Sequence, residues 1–185
     1  MIIEIGHFSV VIALVLSAFG IASSILALKT RSVDWVRAGR MSLTLIFILL
    51  SIGMASLIYS FLIRDFSVHY VATTSNSQLP LFYTIAAVWG GHEGSLLLWV
   101  FILSAFSTIA VWLHWRTQPT IMPYLIGMEC LIIMGFLLLI LFLSSPFDRL
   151  IPAPPDGKDL NPCLLYTSDA ADEGLGVDLG GRRII

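Results

Sequence analysis

Apolar residues dominate four long stretches of the chain, residues 8–28, 41–63, 95–113 and 124–143, and polar segments separate them. A run of about twenty apolar residues, coiled as a helix, matches the thickness of a bilayer's hydrocarbon core. Lipid offers no hydrogen-bond partner to an open backbone, so each run is predicted to be a transmembrane α-helix. The pattern therefore predicts an all-α fold: a polytopic membrane helix bundle of about four spans. A fifth apolar stretch, residues 81–88, is too short to cross. It is expected to form a buried or interfacial segment leading into the third span.

Basic residues give the bundle a direction. Lys29, Arg31, Arg37 and Arg40 lie between the first and second spans, and Arg116 lies between the third and fourth. Arg64, Arg149 and Lys158 fall on the opposite side. The positive-inside bias predicts a cytoplasmic first side, with the N-terminus, residues 64–94 and the stretch after residue 143 outside. Glu4 stands where a signal peptide would carry basic residues, and no A-x-A site follows the first run, so that run is expected to be a retained span.

Composition strengthens the membrane reading and removes other classes. The chain has 185 residues, 57% of them hydrophobic and 12% charged, with a mean hydropathy of +0.91. Soluble domains carry about a quarter charged residues. A net charge of −2 leaves no basic face for nucleic acid. Cys130 and Cys163 lack metal-ligand spacing and suggest no disulfide framework.

The densest cluster of candidate chemistry is "AVWGGHEGSLLLWV", residues 87–100. His92 and Glu93 are adjacent, and adjacent helical residues do not share a face. The second histidine of an H-E-x-x-H zinc site is missing, so no metal site is assigned. One reading is a helix start: Glu93 complements the macrodipole, Gly90, Gly91 and Gly94 permit a tight turn, and Trp89 and Trp99 anchor at the interface. The other is a polar platform with flanking aromatics that positions a flat apolar ligand or a partner. Glu129, early in the fourth span, is a candidate intramembrane acid for proton relay, with snorkelling as the alternative. His7, His69 and His114 are interfacial; imidazole can ligate haem iron or metal, but lone interfacial histidines more often bridge headgroups and water. No nucleophile–base pair, P-loop or nucleotide fingerprint occurs, so no catalytic residue is assigned.

Three segments carry a family resemblance: "EIGHF" at residues 4–8, "DFSVHYVATTSNSQLPLFYTIAAVWGGHEGSLLLW" at 65–99, and "SSPFDRLIPAPPDGKDLNP" at 144–162. In order, they resemble the N-terminal part of the cytochrome c maturation haem lyase subunits of the CcmF/NrfE type. The resemblance covers essentially residues 1–162; Ser145 departs from it, where asparagine is expected. It implies a multi-pass protein of the bacterial inner membrane that handles haem on the periplasmic face and binds haem b when full-length. The implied partners are a periplasmic haem chaperone, apocytochrome c, other cytochrome c maturation subunits and membrane lipid. The family's tryptophan-rich segment and H-P-P-L-L-Y stretch do not occur in this chain. The resemblance therefore implies no known haem ligand here, and residues 1–162 are expected to be incompetent alone. Trp89–Trp99 faintly resembles the tryptophan-rich segment, which suggests haem or partner positioning by Trp89, Gly90, Gly91, His92, Glu93 and Trp99.

After Pro162 the chain turns polar and glycine-rich, "CLLYTSDAADEGLGVDLGGRRII". Residues 163–185 look like translated sequencing adapter, and we read them as a disordered non-native tail with the natural sequence interrupted before them. Two alternatives to a haem lyase segment stay open. One is a transporter or proton-channel subunit, motivated by Glu129 and the polar mouth at His92–Glu93, although the third span offers only Ser and Thr. The other is a purely structural assembly subunit.

Overall fold

The computed structural model describes residues 2–152 and 154–158; the expected non-native tail lies outside the described residues. Six helices follow in order: α1 (Ile2–Thr30), α2 (Val33–Leu62), α3 (His69–Thr74), α4 (Leu81–Ala87), α5 (His92–His114) and α6 (Met122–Phe142). Among the described residues, α1, α2, α5 and α6 are long and apolar enough to cross a membrane. They correspond one for one to the predicted spans. The short apolar segment before the third span is α4, also as expected.

The spans outrun their apolar cores. Helix α2 begins at Val33 rather than Met41, because Ser32 caps it by accepting a hydrogen bond from the Asp34 N–H at 3.3 Å. Arg37 and Arg40 thus lie on the helix and not in a loop. Helix α5 likewise takes in His92 and Glu93 as its first turn.

The four spans close a ring in which α1 packs on α2 and α6, and α5 packs on α2 and α6. In lipid the hydrophobic effect does not drive helices together, so close backbone approach does more of the work. Helix α1 supplies a buried stripe of small residues for it: Gly6, Ser9, Ala13, Ser17, Gly20, Ser24 and Ala27. A Cβ at Gly53 would lie 3.2 Å from the Ser9 hydroxyl, and one at Gly39 would lie 2.9 Å from the Ser23 hydroxyl. At Gly20 it would collide with Cys130 of α6. The buried serines of the four spans do not need water, because each turns back on its own helix; Ser9 donates to the Gly6 carbonyl at 2.7 Å and Ser42 to that of Gly39 at 2.7 Å. The outward faces remain apolar, with Val15, Phe106 and Phe142 exposed. Such surfaces suit lipid.

The bundle has two unlike ends. At one, which we term the basic end, the α1–α2 and α5–α6 connections meet. There the Arg40 guanidinium lies 4.2 Å from each of two indoles, Trp112 and Trp115, and Trp112 donates to Thr44 at 2.9 Å. At the other, the cap end, residues 63–91, 143–152 and 154–158 fold over the helix ends.

Candidate functional site

The cap is tied together by main-chain bonds between segments far apart in sequence. Leu150 N–H donates to the Ser67 carbonyl at 2.8 Å, and His69 N–H donates to that of Asp148 at 2.8 Å. Val68 and Arg149 thereby form an isolated antiparallel bridge. Further along, Asp156 accepts from Ser77 twice, from its N–H at 3.0 Å and its hydroxyl at 2.7 Å. It also accepts from Gly157 N–H at 2.8 Å. These donors, the Ser77 hydroxyl foremost, hold the Asp156 carboxyl below the usual aspartate range. Lys158 N–H closes the clamp on the Ala72 carbonyl at 2.6 Å. Below it, Phe147 is buried against Gly6 and Ser56, and Arg149 pairs with Glu4 at 3.3 Å.

Inside the cap sits Tyr70, 1% exposed, with its ring edge-on to Phe61 at 5.4 Å. Its phenol donates to the Val88 carbonyl at 3.0 Å and accepts from the Gly91 N–H at 3.0 Å. One side chain on α3 therefore fixes the turn that leads from α4 into α5. Burial pushes the Tyr70 phenol up to about 12, and the nearby Glu93 carboxylate acts in the same direction. The phenol is therefore a neutral donor throughout the physiological range.

Tyr70 also explains two of the glycines. A Cβ at Gly91 would lie 2.6 Å from the tyrosine ring, and one at Gly94 would lie 2.6 Å from its hydroxyl while colliding with the Val88 carbonyl. Gly91 is the N-cap of α5, with an extended backbone at φ −109°. The chain there needs space for a ring; a left-handed turn is not what requires glycine.

The remaining sequence-selected residues divide by exposure. Trp89 is 43% and Trp99 63% exposed, His92 is exposed, and Glu93 is half-buried in the first turn of α5. The entrance is locked from behind by Ser95, whose hydroxyl donates to the Trp89 carbonyl at 2.7 Å. The cluster is thus a fixed ledge with an indole and an imidazole at its surface. Glu129 is well away from it, between α5 and α6, 2.7 Å from the Ser107 hydroxyl. His7 sits edge-on to Phe8 and Phe147, each at 6.2 Å. His7 and His69 open onto separate cavities of about 280 and 340 Å³, with one histidine in each. His114 is exposed, with Nδ1 3.0 Å from the Ala110 carbonyl. No three His, Cys, Asp or Glu side chains converge as metal ligands among the described residues. Sequence reasoning missed Tyr70 and Asp156; the Gly90–Gly91 pair beside the partners of Tyr70 was the available signal for the first, and nothing local marked the second.

Four spans and an ordered cap define a polytopic helical membrane protein. No protein-family profile matches the chain. It is 40% identical over 166 residues to the cytochrome c-type biogenesis protein CcmF of Pseudomonas aeruginosa, covering 89% of this chain and 25% of that one. It is 36% identical over 165 residues to CcmF of Haemophilus influenzae, covering 89% and 26%, and 48% identical over 115 residues to NrfE of the same organism, covering 62% and 18%. A solved structure titled cytochrome c heme lyase CcmF superposes with a TM-score of 0.70 at 26% identity, over 81% of this chain and 25% of that one. Over this length the chain belongs to the CcmF/NrfE family of cytochrome c-type biogenesis proteins. It spans about a quarter of the CcmF relatives' length and less of NrfE's.

Proposed function

We propose that the chain serves cytochrome c biogenesis as the scaffold and cap of a haem-handling membrane subunit, with its cap end on the periplasmic face of the bacterial cytoplasmic membrane. Covalent attachment of haem to apocytochrome c belongs to the whole protein, with haem b held by residues other than those described. Within that protein the ledge of Trp89, Gly90, Gly91, His92, Glu93 and Trp99 positions haem or a partner. The partners are a periplasmic haem chaperone, apocytochrome c and sister maturation subunits. The observation that carries this reading is the ledge itself: Trp89 and His92 stand at the surface while Tyr70 and Ser95 immobilise the backbone beneath them. Pre-organisation of that kind lowers the ordering cost of an encounter.

The experiment is His92→Ala combined with Glu93→Gln in the full-length protein, reading holocytochrome c yield against the amount of membrane-inserted protein. A several-fold drop in yield at normal protein level is the expected result. Undiminished attachment would sink the ledge reading. Glu129→Gln separates the transporter alternative: a proton-relay role requires loss of function, whereas a role in helix pairing leaves attachment near normal, since Gln can still bond Ser107.

A further inference from the structure

We infer that a groove at the basic end of the bundle seats the headgroup of an anionic phospholipid. The groove encloses about 570 Å³ between the α1–α2 turn and the start of α6. Ala27 and Pro123 are buried and Val36 half-buried, forming an apolar floor, while Arg31, Thr120 and Tyr124 are exposed at the rim. An apolar floor beneath one guanidinium and two hydroxyls suits a phosphodiester that carries acyl chains. A soluble anion would leave the floor unused.

Charge at this end points to the same occupant. Residues 29–40 and 114–122 hold Lys29, Arg31, Arg37, Arg40 and Arg116 against a single carboxylate, Asp34. Asp34 is taken by Arg37 at 3.3 Å, and Arg40 is held between its two indoles. Arg31 has no ion pair among the described residues, and it holds φ 50°, a conformation that glycine or asparagine adopts more easily. A guanidinium binds a phosphate through two parallel N–H donors, which makes a lipid phosphate the matching ligand. Trp35, Trp112 and Trp115 cluster at the same end, where tryptophans mark the headgroup level of a bilayer.

The test is native mass spectrometry of the detergent-solubilised chain titrated with dioleoylphosphatidylglycerol, dioleoylphosphatidylcholine or inorganic phosphate. The phosphatidylglycerol is expected to bind about fivefold more tightly than the choline lipid, the effect of one basic side chain on an anionic headgroup. Arg31→Gln should abolish that preference. Arg116→Gln, which removes the same charge outside the groove, should keep it, and Tyr124→Phe should weaken it in part. Equal loss in Arg31→Gln and Arg116→Gln, no preference in the parent chain, or displacement of the lipid by equimolar phosphate would each overturn the assignment.

Discussion

The two ends of this bundle are held by different physics. At the cap end, backbone amides and carbonyls of segments far apart in sequence bond to one another, and a buried tyrosine ties two helices to a third. At the basic end no such backbone cross-link joins the two connections among the described residues; Arg40 lies between two indoles, with Nε and Nη1 buried and unpartnered among them. Directional hydrogen bonds tolerate little displacement, whereas a cation over a ring face is attracted over a broader geometry. The cap end is therefore suited to presenting a fixed surface, and the basic end to adjusting with the headgroups around it.

The sharpest way to break this contrast is at Gly94. Alanine there must push against the Val88 carbonyl, which is backbone and cannot swing aside, as well as the tyrosine hydroxyl. A loss of about 3 kcal/mol, the upper part of the overpacking range, is expected in chemical or thermal unfolding of the solubilised chain. Gly135→Ala is the control, because nothing lies within 4 Å of the added methyl; it should leave stability unchanged or slightly raised. Equal effects at the two positions would refute the close-approach account of the glycine-rich segment.

Next in size is Tyr70→Phe. It keeps the ring against Phe61 but strands the buried Val88 carbonyl and the Gly91 N–H. An unsatisfied buried polar group costs about 1–3 kcal/mol, so a loss near 2 kcal/mol is expected. The local signature is faster amide exchange at Gly91. Normal protection there would mean that the phenol is not what fixes the turn.

These partners were the part of the fold that the sequence hid. The spans were legible because lipid leaves a twenty-residue apolar run almost no choice but helix. Their ends were not, since Ser32 capping and the Arg40–indole contacts let charged turns at the membrane surface remain helical. His92, Glu93 and the indoles could be picked out because they crowd one helix start. Why the glycines stand beside them could not, because the ring they accommodate comes from 21 residues upstream of Gly91. Local turn chemistry offered a reason that fits any Gly-Gly pair. Asp156 was hidden more deeply, as nothing in a period or motif links it to Ser77.

A smaller effect belongs to the basic end. Arg40→Lys keeps the charge but replaces a planar group that can face both Trp112 and Trp115 by a point charge. The expected loss is about 1 kcal/mol, the scale of one or two partly exposed cation–π contacts. Measured in the same unfolding assay, a loss as large as that of Tyr70→Phe would erase the distinction between a directional end and an adaptable one.

Acid should loosen one end and spare the other, with the smallest effect of all. The Asp156 carboxyl is held below its ordinary range by the Ser77 and Gly157 donors. A lowered value means that the closed clamp favours the carboxylate. Its contribution is full above about pH 4, the ordinary aspartate value, and disappears as pH falls through the lowered one. The group is exposed, so solvent screens the contribution. The Arg40 contacts are with indoles rather than with a carboxylate and should persist. Amide exchange at Ser77 and Lys158 should therefore accelerate at acid pH beyond its intrinsic pH dependence, while exchange around Arg40 does not. Asp156→Asn keeps an oxygen for the two N–H donors and lacks the titrating proton. The clamp in that variant should be nearly as protected at neutral pH and no longer acid-sensitive. Acid loosening that survives Asp156→Asn would refute the assignment of the switch to this carboxyl.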